Sequence, residues 1–376
     1  MKSSLLLVLA FIFLNACTSG NSTIQQAAIV DSSPTIKPVI VTEAVQFDSD
    51  DPAIWINSQD TSKSLIVGTD KDENGALYVF DLNGKIIQDK VVKGLKRPNN
   101  VDIEYGLILK NRPTDIAVVT ERITHNLRIF SLPDMTPLDN GGIPVFENET
   151  GDGFRDLMGI SLYKQPNTNK IFAIVGRKSG PTNGYLWQYL LEDDGKGNVK
   201  ATIVRKFGQY SAKKEIESIA VDDELGFVYY SDEGVGVRKY YADPEKGNEQ
   251  LALFGTSGFT QDHEGISIYK INNNTGYILV SDQQSNRFRV FRREGANGNP
   301  HDHRLVKIIN MSTSESDGSE VTSVSLLGQF KSGLFVGMST DKTFQFYRWE
   351  DLAGNDLVVA PNGTIRGSVE NAQAKR

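Results

Sequence analysis

Six times along this 376-residue chain, a short apolar run ends in a polar turn and leads into an alternating, aromatic-rich run. The copies are Leu65–Phe80, Ile116–Phe130, Ile171–Tyr189, Phe227–Tyr240, Tyr277–Phe291 and Leu334–Tyr347, with starts 51, 55, 56, 50 and 57 residues apart. A period of about 50 residues carried by strand chemistry predicts an all-β fold, a six-bladed β-propeller with one blade per repeat. Ahead of each copy lies another segment with strand character. In order these are Pro52–Ile56, Val101–Leu109, Met158–Tyr163, Ile216–Val221, Gly265–Tyr269 and Val321–Leu327. Turns are expected at Asn83-Gly84, Asn183-Gly184, Asn272–Asn274 and Ser332-Gly333. Helical periodicity is confined to short pieces such as Trp349–Leu352. A propeller gathers one end of every blade around a central channel, so residues some fifty positions apart can converge.

Composition is ordinary for a globular protein, with 23 % charged and 39 % hydrophobic residues. The net charge of −7 argues against nucleic acid as a partner, because phosphate backbones call for clustered Lys and Arg. The N-terminus has the anatomy of a secretory leader. Lys2 supplies the positive region, and Leu5–Leu14 forms an apolar region too short to span a bilayer. Leu14-Asn15-Ala16-Cys17 resembles a bacterial lipobox, which predicts a signal peptide over residues 1–16 and lipidation of Cys17. An ordinary secretory peptide that happens to contain a cysteine is the alternative. Residues 17–36 read as a flexible tether, 37–355 as the propeller and 356–376 as a tail. The protein is thus expected at the cell envelope, lipid-anchored and monomeric. Thr18 after the cysteine favours the outer membrane where there is one. Cys17 is the only cysteine, so no disulfide forms within the chain.

Five of the six leading segments carry an acid at or next to their start: Asp50-Asp51, Asp102, Glu217, Glu264 and Glu320. The third opens on Met158 instead. One such acid is most simply a turn cap. Five in register, with Glu233 and Asp262 nearby, would face one another across one end of the channel. Close like charges are tolerated when cations sit between them, and an all-oxygen donor set suits Ca²⁺. Asp70–Gly75 with Asp81 also approximates the spacing of a helix-loop-helix calcium loop. Its flanks read as strands, so a plain hairpin turn competes.

Other chemistries lack their parts. There is no Gly-x-Ser-x-Gly elbow, no phosphate-binding Gly-x-x-x-x-Gly-Lys-Ser/Thr loop and no Arg-His-Gly signature. Of the four histidines, His125, His301 and His303 fall in turns or loops, with His301 and His303 expected in solvent. His263 lies between Asp262 and Glu264. A hard-cation carboxylate site is the more natural reading.

Asp50-Asp51-Pro52-Ala53-Ile54-Trp55, Asn99-Asn100-Val101-Asp102-Ile103, Asp262-His263-Glu264-Gly265 and Gly333–Val336 with Trp349-Glu350 resemble the β-propeller phytases. The likeness runs from about residue 45 to 352, and its motifs fall in the family's order. That family is a six-bladed propeller of calcium-dependent phosphatases acting on inositol hexakisphosphate. The resemblance implies several bound Ca²⁺ ions, with Asp50, Glu217, Glu233, Asp262, Glu264 and Gln283 around the site of cleavage. It implies further calcium ligands at Asp51, Pro52, Val101, Asp317 and Gly318. Its phosphate-binding cations fall on Lys71, Arg122 and Arg177, with Lys178 adding positive charge. On this reading Lys71, Arg122, Glu217 and Glu233 carry catalysis, and the substrate is phytate, taken as its calcium complex.

The sequence departs from the family pattern at three places. A phosphate-contacting Tyr reads Met158, a Lys-Glu pair reads Arg177-Lys178, and a Gln-Asp-Gly reads Met338-Ser339-Thr340. Two other readings therefore stay open. One is a calcium-dependent propeller lactonase or esterase, which would not need Lys71, Arg122 and Arg177. The other is a non-catalytic, lipid-tethered binding propeller.

Overall fold

The protein is described by a computed structural model covering residues 34–326 and 328–361. The expected leader, Cys17 and most of the tether lie outside the described residues, as do residues 362–376 of the tail. Among the described residues the strands form six antiparallel four-stranded sheets, the blades of a propeller. Blade 1 is Ser49–Trp55, Leu65–Asp70, Gly75–Phe80 and Val92–Leu95. Blades 2 to 6 open with Pro98–Leu109, Leu157–Lys164, Ile219–Asp222, His263–Lys270 and Ser319–Thr322. These first strands pack side by side, the sixth against the first, and so line the channel.

Each repeat read from the sequence is the hairpin of a blade's second and third strands. The second strands are continuous apolar runs because both of their faces are covered. Leu65–Asp70, Ile171–Arg177 and Leu334–Ser339 are buried at every position. Apolar clusters fill the wedges between neighbouring blades, so there is no single core. Ile66 and Phe80 of blade 1 pack with Val336 and Phe344 of blade 6, for example. The ring is closed by the N-terminal strand Ile40–Val41, which pairs with Thr343–Arg348 as the outermost strand of blade 6. Residues 357–360 also pack against the propeller: the Val358 and Ala360 amides donate to the Tyr277 and Tyr269 hydroxyls. The helix at Trp349–Ala353 matches expectation. Asn183-Gly184 does not make a turn. It begins the strand Asn183–Asp193, where Gly184 at φ 71° sits in a bulge against blade 3's outer strand.

Strand register fixes which residues meet at the mouth. Pro52, Val101, Ile160, Ile219, Ile266 and Ser319 each pair with the residue two before the end of the second strand. Counting back two positions gives an equivalent ring: Asp50, Asn99, Met158, Glu217, Glu264 and Asp317. In blades 1, 2, 3 and 5 the ladder shifts just there, two residues facing one. Such a bulge re-aims a side chain that would otherwise project from one face of the blade. Asp102 and Glu320 lie three positions further along than this ring, deeper in the channel. The alignment of strand-leading acids suggested by the sequence is therefore two levels rather than one.

The ring also needs close backbone approach. A Cβ on Gly159 would run into the Glu217 carbonyl, and one on Gly318 would lie 2.6 Å from the Asp50 carbonyl. Gly159→Ala should lower the urea unfolding midpoint by the equivalent of ~1–3 kcal/mol through overpacking. A midpoint equal to wild type would contradict this placement of Glu217.

Candidate active site

The residue after each second strand forms a second set beside the ring: Lys71, Arg122, Lys178, Glu233, Gln283 and Thr340. The two sets meet at the mouth with opposite charges side by side. Carboxylate oxygens of Glu217, Glu233 and Glu264 lie within 4.8 Å of one another, all three residues buried. Glu264 Oε2 has no hydrogen-bond partner although it is shielded from solvent. Lys71 Nζ contacts Asp50 and lies 3.6 Å from Asp317 and 3.9 Å from Glu217. Arg122 Nη2 is also 3.9 Å from Glu217 Oε1. Glu217 thus has a cation from blade 1 and one from blade 2 at equal distance.

Arg122 is held by neutral groups. Its Nε donates to the Leu157 carbonyl at 3.1 Å, and Nη2 reaches Asn99 Oδ1 and the Met158 thioether. Asn99 Nδ2 donates in turn to Glu217 Oε1 at 2.5 Å. On the far side Gln283 donates to Asp317, and Gln284 Nε2 donates to Asp262 Oδ2 at 2.8 Å. Lys214 Nζ lies 2.5 Å from Asp262 Oδ1.

Crowding shows in the acidities. Burial, reinforced by Glu217, Glu233 and Asp317, holds the Glu264 carboxyl well above the ordinary range. Burial and then Glu217 and Asp262 push Glu233 up to about 9. Burial raises Asp317 to about 6 against the pull of Lys71. Asp50 is raised by burial too, with Lys71 opposing. Lys71 loses basicity to burial, but Asp50, Glu217 and Asp317 outweigh that and raise it. Buried carboxylates that resist ionising alone, with one oxygen unpartnered, are the donor set a hard divalent cation satisfies.

Not every residue read from the sequence reaches this cluster. Asp51 sits one residue beyond the ring, where its Oδ2 accepts from the Val101 amide at 3.0 Å, beside Pro52 and against Gly318. Asp102 accepts from the Leu162 amide at 2.7 Å and from Ser161 Oγ. The Asp70–Gly75 segment is a hairpin turn. Asp70 Oδ1 accepts from the Phe47 and Asp48 amides, and Asp72 Oδ1 from that of Asn74. His303, expected in solvent, is buried 3.1 Å from Lys239. His263 points to the Gly255 carbonyl.

Arg177 lies inside blade 3, fully buried, with Nη1 2.6 Å from Glu149 and its guanidinium over the Phe146 ring. The reason is positional. The last residue of a second strand anchors the incoming loop. Asp70, Glu121, Asp232 and Asp282 each accept loop amides there. Blade 3 reverses the polarity: Arg177 donates to the Phe154 carbonyl at 3.2 Å and to Glu149. Its neighbour Lys178 holds the mouth position, half-exposed and 3.1 Å from Glu215. Lys214 and Gln284 are not among the residues singled out from the sequence. Neither stands in a motif, and only strand register brings them to the acids.

Fold and mouth together define a six-bladed propeller enzyme scaffold with a carboxylate cluster flanked by cations. The chain belongs to the phytase family, whose model matches residues 2–353. It is 28 % identical over 323 residues to the 3-phytase of Bacillus subtilis (strain 168), covering 81 % of this chain and 80 % of that protein. Among solved structures, the Kuenenia stuttgartiensis hydrazine synthase superposes with a TM-score of 0.49 at 10 % identity, covering 79 % of this chain and 82 % of that one. The Dos1 propeller gives a TM-score of 0.40 at 12 % identity, covering 82 % of this chain and 69 % of that one.

The weakened acidities give a signed prediction. Without divalent cations, the folded state keeps protons on Asp317 and Glu233 that the unfolded chain releases near ordinary carboxyl values. That stability is complete at low pH and is lost as pH rises through about 6 and about 9. In EDTA, the thermal midpoint should therefore fall between pH 5 and pH 9. A midpoint that climbs over that interval would contradict the assignment.

Proposed function

We propose that the protein is a calcium-dependent phosphomonoesterase of the 3-phytase type, releasing inorganic phosphate from inositol hexakisphosphate. The observation that carries the reading is the meeting of Glu217, Glu233 and Glu264 with Lys71 and Arg122 in one mouth, in a chain of this family. Asp50, Glu217, Glu233, Asp262, Glu264, Gln283 and Asp317 would hold the ions. Bound calcium would supply positive charge against the phosphate oxygens and acidify a coordinated water.

The chain's own part is placement. A phosphoryl group seated over Glu217 meets the Lys71 ammonium from one side and the Arg122 guanidinium from the other. Arg's planar fork can take two oxygens at once. Asn99, the Leu157 carbonyl and Met158 fix that fork beforehand, so little reorganisation accompanies charge development. Lys178 stands at the rim, where a neighbouring phosphate of the same ring would lie and orient the substrate. Met158 offers a phosphate no hydroxyl, and its thioether is already engaged by Arg122. The leader anatomy and Cys17 support lipid anchoring at the cell envelope, and the mouth, built from one chain, needs no second copy to act on small phosphate esters.

Phosphate release from calcium phytate at neutral to mildly alkaline pH tests the reading. Release should require Ca²⁺, stop in EDTA, and fall on the order of 10²-fold or more in Glu217→Gln. Release that persists in EDTA, or at full rate in the variant, would overturn it.

A further inference from the structure

Lys214 differs from Lys71 and Arg122, the cations beside Glu217. Lys71 and Arg122 are fixed, their side chains 12 % and 10 % exposed, whereas Lys214 is 46 % exposed at the tip of a loop between blades 3 and 4. The root of that loop is pinned. The Tyr210 hydroxyl donates to the Lys214 carbonyl at 2.6 Å, Ser211 Oγ donates to Asp232, and the Glu233 amide donates to the Glu215 carbonyl at 3.3 Å. Only the four-carbon stem is free, and it crosses to blade 5 to reach Asp262. There the ammonium also feels Glu233 and Glu264.

We infer that Lys214 is an exchangeable cation of this mouth: it neutralises Asp262 while the carboxylates lack divalent ions, and binds a non-scissile phosphate of the substrate once they are filled. This rests on the reading of the carboxylates as a divalent-cation site. Two charges entering the cluster a few ångströms away repel the ammonium, and an exposed ion pair is too weak to hold it. Asp262 keeps its orientation without Lys214, because Gln284 Nε2 donates to its other oxygen and Gln284 Oε1 accepts from its amide at 3.0 Å. The displaced ammonium turns on its pinned root toward the rim, on the same loop as Glu215, the partner of Lys178. The two lysines then bracket a second phosphate, which only a polyphosphorylated substrate carries.

The test uses the full chain with Lys214→Met and Lys214→Arg. Calcium titration of chelator-stripped protein without substrate should show about two- to fivefold tighter uptake in Lys214→Met, because a competitor has been removed. KM for inositol hexakisphosphate should rise several-fold in that variant, while KM for a simple monophosphate ester stays level. Lys214→Arg should keep both values near wild type. Unchanged calcium affinity in Lys214→Met, or KM values that shift equally for both substrates, would overturn the exchange. Wild-type protein that takes up no calcium would instead overturn the cation site itself, and the exchange with it.

Discussion

The mouth of this propeller is organised by a repulsion. Glu217, Glu233 and Glu264 bring carboxylate oxygens within 4.8 Å of one another in a buried setting. Asp50 and Asp317 crowd the same space and share Lys71. Few folds could hold such a cluster. Here the acids are rooted in four blades, Asp50 in blade 1, Glu217 and Glu233 in blade 4, Glu264 in blade 5 and Asp317 in blade 6, and each blade is packed against two neighbours through apolar wedges. The energy of closing the ring offsets the cost of placing like charges together. Positive charge from Lys71, Arg122 and Lys214 relieves part of the strain. The remainder shows as carboxyls that hold their protons more tightly than usual, a condition that divalent cations would relieve.

The bulges at the head of the first strands turn this into a site. A regular ladder would send alternate side chains into the neighbouring blades. Two residues facing one at Asp50-Asp51, Asn99-Asn100, Met158-Gly159 and Glu264-Gly265 aim the ring residues at the channel mouth. In blades 3 and 5 the second bulge position is glycine, which lets the next blade's backbone close over it, the Glu217 carbonyl at Gly159 and the Asp317 carbonyl at Gly265. Sixfold architecture with unlike residues at equivalent places gives an asymmetric site. Blades 1 and 2 supply cations after their second strands, whereas blades 4 and 5 supply Glu233 and Gln283. On the proposed function, a phosphate ester would meet a positive and an acidic side, and its orientation would follow from that polarity.

Much of this was legible in the sequence. The fifty-residue repeat gave the blade count because second strands buried on both faces read as unbroken apolar runs. The acids Asp50, Glu217, Glu233, Asp262 and Glu264 were found, and the structure brings them together. Asp102 and Glu320 were placed level with them, because no sequence pattern reveals which residue faces which across a bulge. Arg177 was read as a phosphate ligand from a resemblance at one position. Its burial depends on Glu149, 28 residues earlier, which accepts from the guanidinium at the place where blades 1, 2, 4 and 5 have an acid accepting loop amides. Lys214 went unnoticed because a single lysine in a polar loop has no signature until register sets Asp262 opposite it.

The central claim is that the crowded acids form one cation site. Calcium titration of chelator-stripped wild-type protein beside Glu264→Gln tests it most directly, since Glu264 carries an unpartnered buried oxygen at the centre of the cluster. The account predicts calcium uptake by the wild type, accompanied by proton release at neutral pH, and a loss of at least one ion in the variant. Identical stoichiometry and affinity in both proteins would show that calcium, if bound, sits elsewhere, and the account of this mouth would fail.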